Sequence, residues 1–188
     1  MRPTVEIDRE MLNSVINQLG TMEKKAPQVI SAALNRAMTN VASNVSKEVR
    51  QQYNIKAGDI KDTLEKTRST KSSLSAVVGS KGNLVPLDRF KVSPRKVSPK
   101  RKTPIKVGVK KNGMKPLGSA FVGDISGIKV IKRRNKKRLP IARLFGPSVP
   151  QMVGNEVIVE KINQEGQETF YRRLDHEINR ILDRGSGS

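Results

Sequence analysis

Apolar residues recur along the first third of the chain with the spacing of one helical face. Met11, Val15, Ile16 and Leu19 predict a first helix, with Asp8 as its N-cap and Gly20 as its end. Pro27 suits the first turn of a second helix. Ile30, Ala33, Leu34, Ala37, Val41, Val45, Val49 and Tyr53 then follow at steps of mostly four, which predicts a long amphipathic helix. The next stretch, NIKAGDIKDTLEKT, reads as a turn at Gly58 and a short helix whose inner residues are Ile60 and Leu64.

From Ser72 the period changes. The runs SLSAVVGS, TPIKVGVKK and GIKVIKR are short and β-branched, and clusters of Gly, Pro, Asn and Lys separate them, the pattern of antiparallel strands. Alternation of Ile105, Val107 and Val109 with Lys106, Gly108 and Lys110 predicts one inward and one basic outward face. From Met152 the helical period returns through Val159, Ile162, Gly166, Phe170, Leu174, Ile178 and Ile181, with Gly185 as the stop. The order helix, helix, sheet, helix predicts an α+β fold: an antiparallel sheet with long N-terminal and C-terminal helices packed on it, and extended basic loops. We expect a single domain over residues 1–184, with a helical part (1–70), a basic β part (71–140) and a linker with the terminal helix (141–184). Residues 185–188 are expected to be a flexible tail.

The formal charge is +20, and its position changes the picture more than its size. Residues 71–140 hold 20 Lys/Arg against 2 Asp/Glu, whereas 1–70 hold 11 against 8 and 141–188 hold 6 against 7. A polyanion is therefore met in the middle third. There RFKVSPRKVSPKRKTP carries three prolines, seven Lys/Arg and no acid, which excludes a helix and predicts an extended or hairpin-like solvated loop. The run from Lys132 to Arg138 adds six cations interrupted only by Asn135. Candidate contacts to DNA or an acidic partner are Arg95, Lys96, Lys100, Arg101, Lys102, Arg133, Arg134, Lys136, Lys137 and Arg138. Aromatic residues are too few for a base-stacking platform, which leaves contact with the duplex DNA backbone. Lysines that solubilise the surface or meet an acidic protein are an equally weighted alternative.

Candidate chemistry is sparse. Without cysteine there is no disulfide, thiolate metal site or thiol nucleophile. The single histidine, His176, lies between Asp175 and Glu177 on a helical stretch and lacks the convergent partners a ligand or base needs. Asp88 and Asp124, the carboxylates of the basic third, read as salt-bridge partners of surrounding lysines rather than a metal pair. The glycine-loop motifs that cradle phosphates do not occur. No run of about 18 apolar residues is present, and acids break the N-terminal stretch MRPTVEIDREML where a secretory signal needs apolar residues. The expectation is a soluble, unexported chain that is not an enzyme, needs no cofactor or metal, and meets no membrane.

Three stretches, QQYNIKAGDIKDTL, NLVPLDRFKVSPRKVSP and KRLPIARLFGPSVPQMV, follow one another in that order, and the last leads into the terminal helix. Together with GSAFVGDISGIKVIKRRNKKRLPI they resemble the prophage minor tail protein Z family, GPSVPQM being the most specific segment. The resemblance implies a structural minor tail protein of a long-tailed phage or prophage, acting in tail completion at the head-proximal end of the tail, without catalytic activity. It also implies location in the virion tail, assembly in the host cytoplasm, and other tail and head-completion proteins as partners. A subunit of a homo-oligomeric ring around the DNA path needs surfaces that neighbours cover. Leu139, Ile141, Leu144, Phe145 and Val149 are accordingly expected to be mostly buried, in the subunit core or at its interface. A free, sequence-independent nucleic-acid-binding protein is the alternative.

Overall fold

The computed structural model describes residues 4–5 and 9–186, so Asp8 as an N-cap lies outside the described residues. In chain order the elements begin with β1 (Thr4–Val5), α1 (Arg9–Leu19), a 3-10 turn (Gly20–Lys25), α2 (Ala26–Gln52), α3 (Ala57–Lys61), β2 (Leu64–Thr67) and β3 (Ala76–Ser80). They continue with β4 (Leu84–Pro86), a 3-10 turn (Leu87–Arg89), β5 (Lys91–Ser93), β6 (Ile105–Gly108), β7 (Lys115–Leu117), β8 (Ala120–Asp124) and β9 (Ile128–Arg133). The last are β10 (Ile141–Arg143), β11 (Phe145–Ser148), α4 (Val149–Val153) and α5 (Glu156–Ser186). The fold is α+β. The chain forms two compact units that interleave in sequence: Met1–Val45 with Leu64–Ser80 and Gly154–Ser188, and Ser46–Thr63 with Lys81–Val153.

In the first unit the predicted helical stripes become core. Val15 and Leu19 of α1 are buried, and Gly20, at φ +54°, ends that helix in the left-handed region glycine favours. Ile30, Ala33, Leu34, Ala37, Val41 and Val45 of α2 are buried, as are Ile158, Ile162, Phe170, Leu174, Ile178 and Ile181 of α5. Polar positions between α2 and α5 satisfy one another: Asn44 donates to Glu165 at 2.6 Å and to Asn40 at 2.9 Å, and Thr169 donates to Asn40 at 3.3 Å. The antiparallel sheet β1-β3-β2 belongs to this unit. Gly185 is not the helix stop that the sequence predicts. It lies inside α5, where an added Cβ would fall 2.6 Å from the Met22 side chain, so it serves close approach instead.

The second unit holds three small antiparallel sheets, in strand orders β10-β9-β8, β5-β6-β7 and β11-β4. The expected single sheet is thus divided into four among the described residues. Prolines at 94, 104, 116, 140 and 147 interrupt or bound strands three to six residues long, and a proline donates nothing to a ladder. Two local readings also change. Gly58 is helical within α3 instead of forming a turn, and Leu64 begins β2 instead of closing a helix. The cause is Thr63, whose amide and hydroxyl both donate to the Ile60 carbonyl, at 3.0 and 2.7 Å, in a turn that follows the helix end at Lys61 and precedes Leu64. Ile60 is fully buried as expected. Ile105 and Val107 face inward as predicted, but Gly108 is buried too. Asn54 donates to the Gly108 and Lys110 carbonyls at 2.9 and 3.0 Å, beside a position where an added Cβ would lie 3.1 Å from the Gly113 carbonyl oxygen.

Candidate nucleic-acid interface

Both basic clusters sit on hairpin connections of the second unit. The first joins β5 to β6 above the pair Ser93 and Lys106, and the second joins β9 to β10 above the pair Arg133 and Ile141. All ten candidate cations are exposed. That unit carries 24 Lys/Arg against 5 Asp/Glu, a net of +19, whereas the other carries 13 against 12, a net of +1.

A cleft of about 390 Å³ brings part of the two clusters together. Lys96, Arg101 and Lys102 from the first connection and Arg133 at the end of β9 line it, with Val97, Phe121 and Val122 among its apolar walls. Arg95, Lys100, Arg134, Lys136, Lys137 and Arg138 lie outside it. Two of its cations are held by neighbours that carry no charge. Arg101 donates from Nε to the Thr103 carbonyl at 2.8 Å and from Nη2 to the Pro104 carbonyl at 3.3 Å. The Arg133 guanidinium carbon stands 5.6 Å from the centroid of the Phe121 ring, within the range of cation–π attraction.

The two nearby carboxylates are committed elsewhere. Asp88 accepts from Arg143 Nε at 3.1 Å and Nη2 at 2.7 Å, a bidentate pair with an arginine and not with the lysines the sequence suggests. Burial pushes the Asp88 carboxyl up, but the Arg143 hydrogen bonds and charge outweigh it and leave the group below its ordinary 3.8. Asp124 accepts the Gly127 amide at 3.0 Å, closing the β8–β9 turn in which Ser126 and Gly127 have positive φ.

The apolar segment expected to be buried is split. Val149 is 1% exposed, Ile141 and Leu144 are half-buried, and Leu139 and Phe145 are 65% and 50% exposed. Strand alternation explains Phe145: its neighbour Gly146 takes the inward position, where a Cβ would lie 2.8 Å from the Phe90 ring, so Phe145 points out.

The segment GPSVPQM has a structural logic that its spacing, Ser then Gln three residues on, already contains. Ser148 caps α4: its amide donates to Gln151 Oε1 at 2.8 Å, and its hydroxyl accepts the Gln151 amide at 3.4 Å. Met152 is fully buried behind that cap. The other quoted stretches are tied into the same unit by the Asp59–Arg89 ion pair and by the Leu87 amide donating to Leu144 O at 2.9 Å.

His176 is exposed on α5. Among the described residues no group of three His, Cys, Asp or Glu is placed to hold a metal ion, and no helix is long and apolar enough to cross a membrane.

A family model described as prophage minor tail protein Z (GPZ) matches residues 11–184. No curated protein and no solved structure matches the chain.

Proposed function

We infer a place in the phage tail from the family to which this chain belongs, that of prophage minor tail protein Z. As a minor tail protein of a phage or prophage it is a structural component of the tail, with other tail proteins as partners. We propose further that it acts in tail completion at the head-proximal end, as a non-enzymatic subunit of a homo-oligomeric ring around the DNA path, its basic clusters turned to the DNA backbone.

The observation that carries this reading is the division of charge, +19 on one unit and +1 on the other. A subunit lining a DNA path needs one strongly basic face and another that packs beside copies of itself without repulsion. The basic unit meets the first demand, and the near-neutral unit, together with apolar residues exposed on the basic one, meets the second. Exposed Leu139 and Phe145 offer apolar contact area to a neighbour, so their expected burial is assigned to an interface instead of the core.

Native mass measurement and imaging of the purified protein test the ring. A discrete closed oligomer supports it. A monomer that coats duplex DNA supports the alternative, a free sequence-independent nucleic-acid-binding protein. In either case the loops bind unrelated duplexes alike, with a log–log salt slope of about −0.9 per phosphate neutralised.

A further inference from the structure

The exposed cations of the second unit differ in how far their geometry is fixed. Lys96, Lys102 and the lysines of the β9–β10 connection end flexible stems, which place a charge but no direction. Arg101 and Arg133 are held. The Nε and Nη2 edge of Arg101 is spent on the Thr103 and Pro104 carbonyls, which immediately precede buried Ile105 at the start of β6. Its Nη1 group and the remaining Nη2 proton are left to face an acceptor. Arg133 rests against Phe121, and its side chain makes no hydrogen bond or ion pair among the described residues. Both arginines line one cleft, and no Asp or Glu does.

We propose that this cleft is a phosphodiester-binding subsite, in which Arg101 and Arg133 hold phosphate oxygens of a nucleic-acid backbone through fixed guanidinium geometry. The proposal rests on the DNA-facing reading above and deepens it. Uncompensated guanidinium pairs held in place have already lost much of the side-chain freedom that binding costs, and their planar donor edges match tetrahedral phosphate. The 390 Å³ volume lies near the small end of ligand clefts, roughly 300–1,000 Å³, and takes the backbone of one strand, not a whole duplex. Val97 and Phe121 give the walls an apolar character suited to the sugar carbons beside the phosphate.

Exchanges that keep charge and change geometry test it. The full chain and its Arg101→Lys/Arg133→Lys variant are titrated with labelled duplex and single-stranded DNA of unrelated sequences across a range of salt. The subsite requires affinity for both forms to fall about tenfold while the salt slope stays unchanged, because no charge is lost. Phe121→Leu, which alters no charge, weakens binding in the same direction, and Arg172→Lys/Arg173→Lys on α5 does not. Circular dichroism and thermal midpoints confirm that each variant is folded, and the single exchanges replace a double variant that is not. A loss confined to one strand form overturns a subsite for the single-strand backbone that both forms share. Unchanged affinity of the double variant overturns the subsite while the DNA-facing reading stands. A native chain that binds neither form at about 0.1 M salt overturns both.

Discussion

Asp88 and Arg143 join two hairpin regions of the basic unit, and the cost of burying the carboxylate is outweighed by its two charge-assisted hydrogen bonds. Because the folded carboxyl titrates below its ordinary 3.8, the pair's contribution is fully present above about pH 4 and is lost as pH falls through the lowered value. Asp88→Asn is expected to cost about 1–2 kcal/mol at neutral pH. Denaturant melts at a series of pH values check this: the gap between native and variant narrows below pH ~4, and a gap constant down to pH ~2 contradicts it. A few residues on, Phe145 and Gly146 exchange the importance their types suggest. Phe145→Ala is expected to change the stability of the isolated chain by less than about 0.5 kcal/mol, whereas Gly146→Ala drives a methyl against Phe90 and costs about 1–3 kcal/mol. Thermal unfolding of the two variants checks the order. An aromatic between apolar neighbours reads as core, and only the β11–β4 register reveals that the glycine holds the inward position.

Helices were legible because one long stripe decides them. Every position of the predicted ladder from Ile30 to Val49 is buried in α2, Tyr53 is buried just beyond that helix, and α5 keeps its period from Ile158 to Ile181. Strands were located at SLSAVVGS, TPIKVGVKK and GIKVIKR, but their assortment into four sheets depends on pairings with β1, β4, β10 and β11, segments too short to show a period. The Ser148–Gln151 capping box lay open in the spacing, as did the loop nature of the proline-rich cluster. The cleft was not legible, since it forms where a loop meets Phe121 and Arg133 from other strands. Ser93 pairs with Lys106, so the removable part of the first connection begins after it. Replacing residues 95–102 with a short Gly/Ser linker is expected to leave helical content unchanged and the thermal midpoint within a few degrees, because a long surface loop adds little burial. DNA affinity should fall with it. Loss of cooperative unfolding in the shortened chain contradicts that reading.

At the level of the full chain, family membership and the charge division meet in one physical picture. Nearly all the excess charge is gathered on one of two units, which suits a protein that faces a polyanion while packing beside its own copies. Free binding to nucleic acid needs only the basic unit. Position in the particle is what separates the two. Electron microscopy of assembled virions carrying a label on this chain measures it directly. Label concentrated at the junction of tail and head, in several copies around the axis, is the expected result. Label at the distal tip, or virions that contain none of the protein, contradicts a role in closing the head-proximal end of the tail.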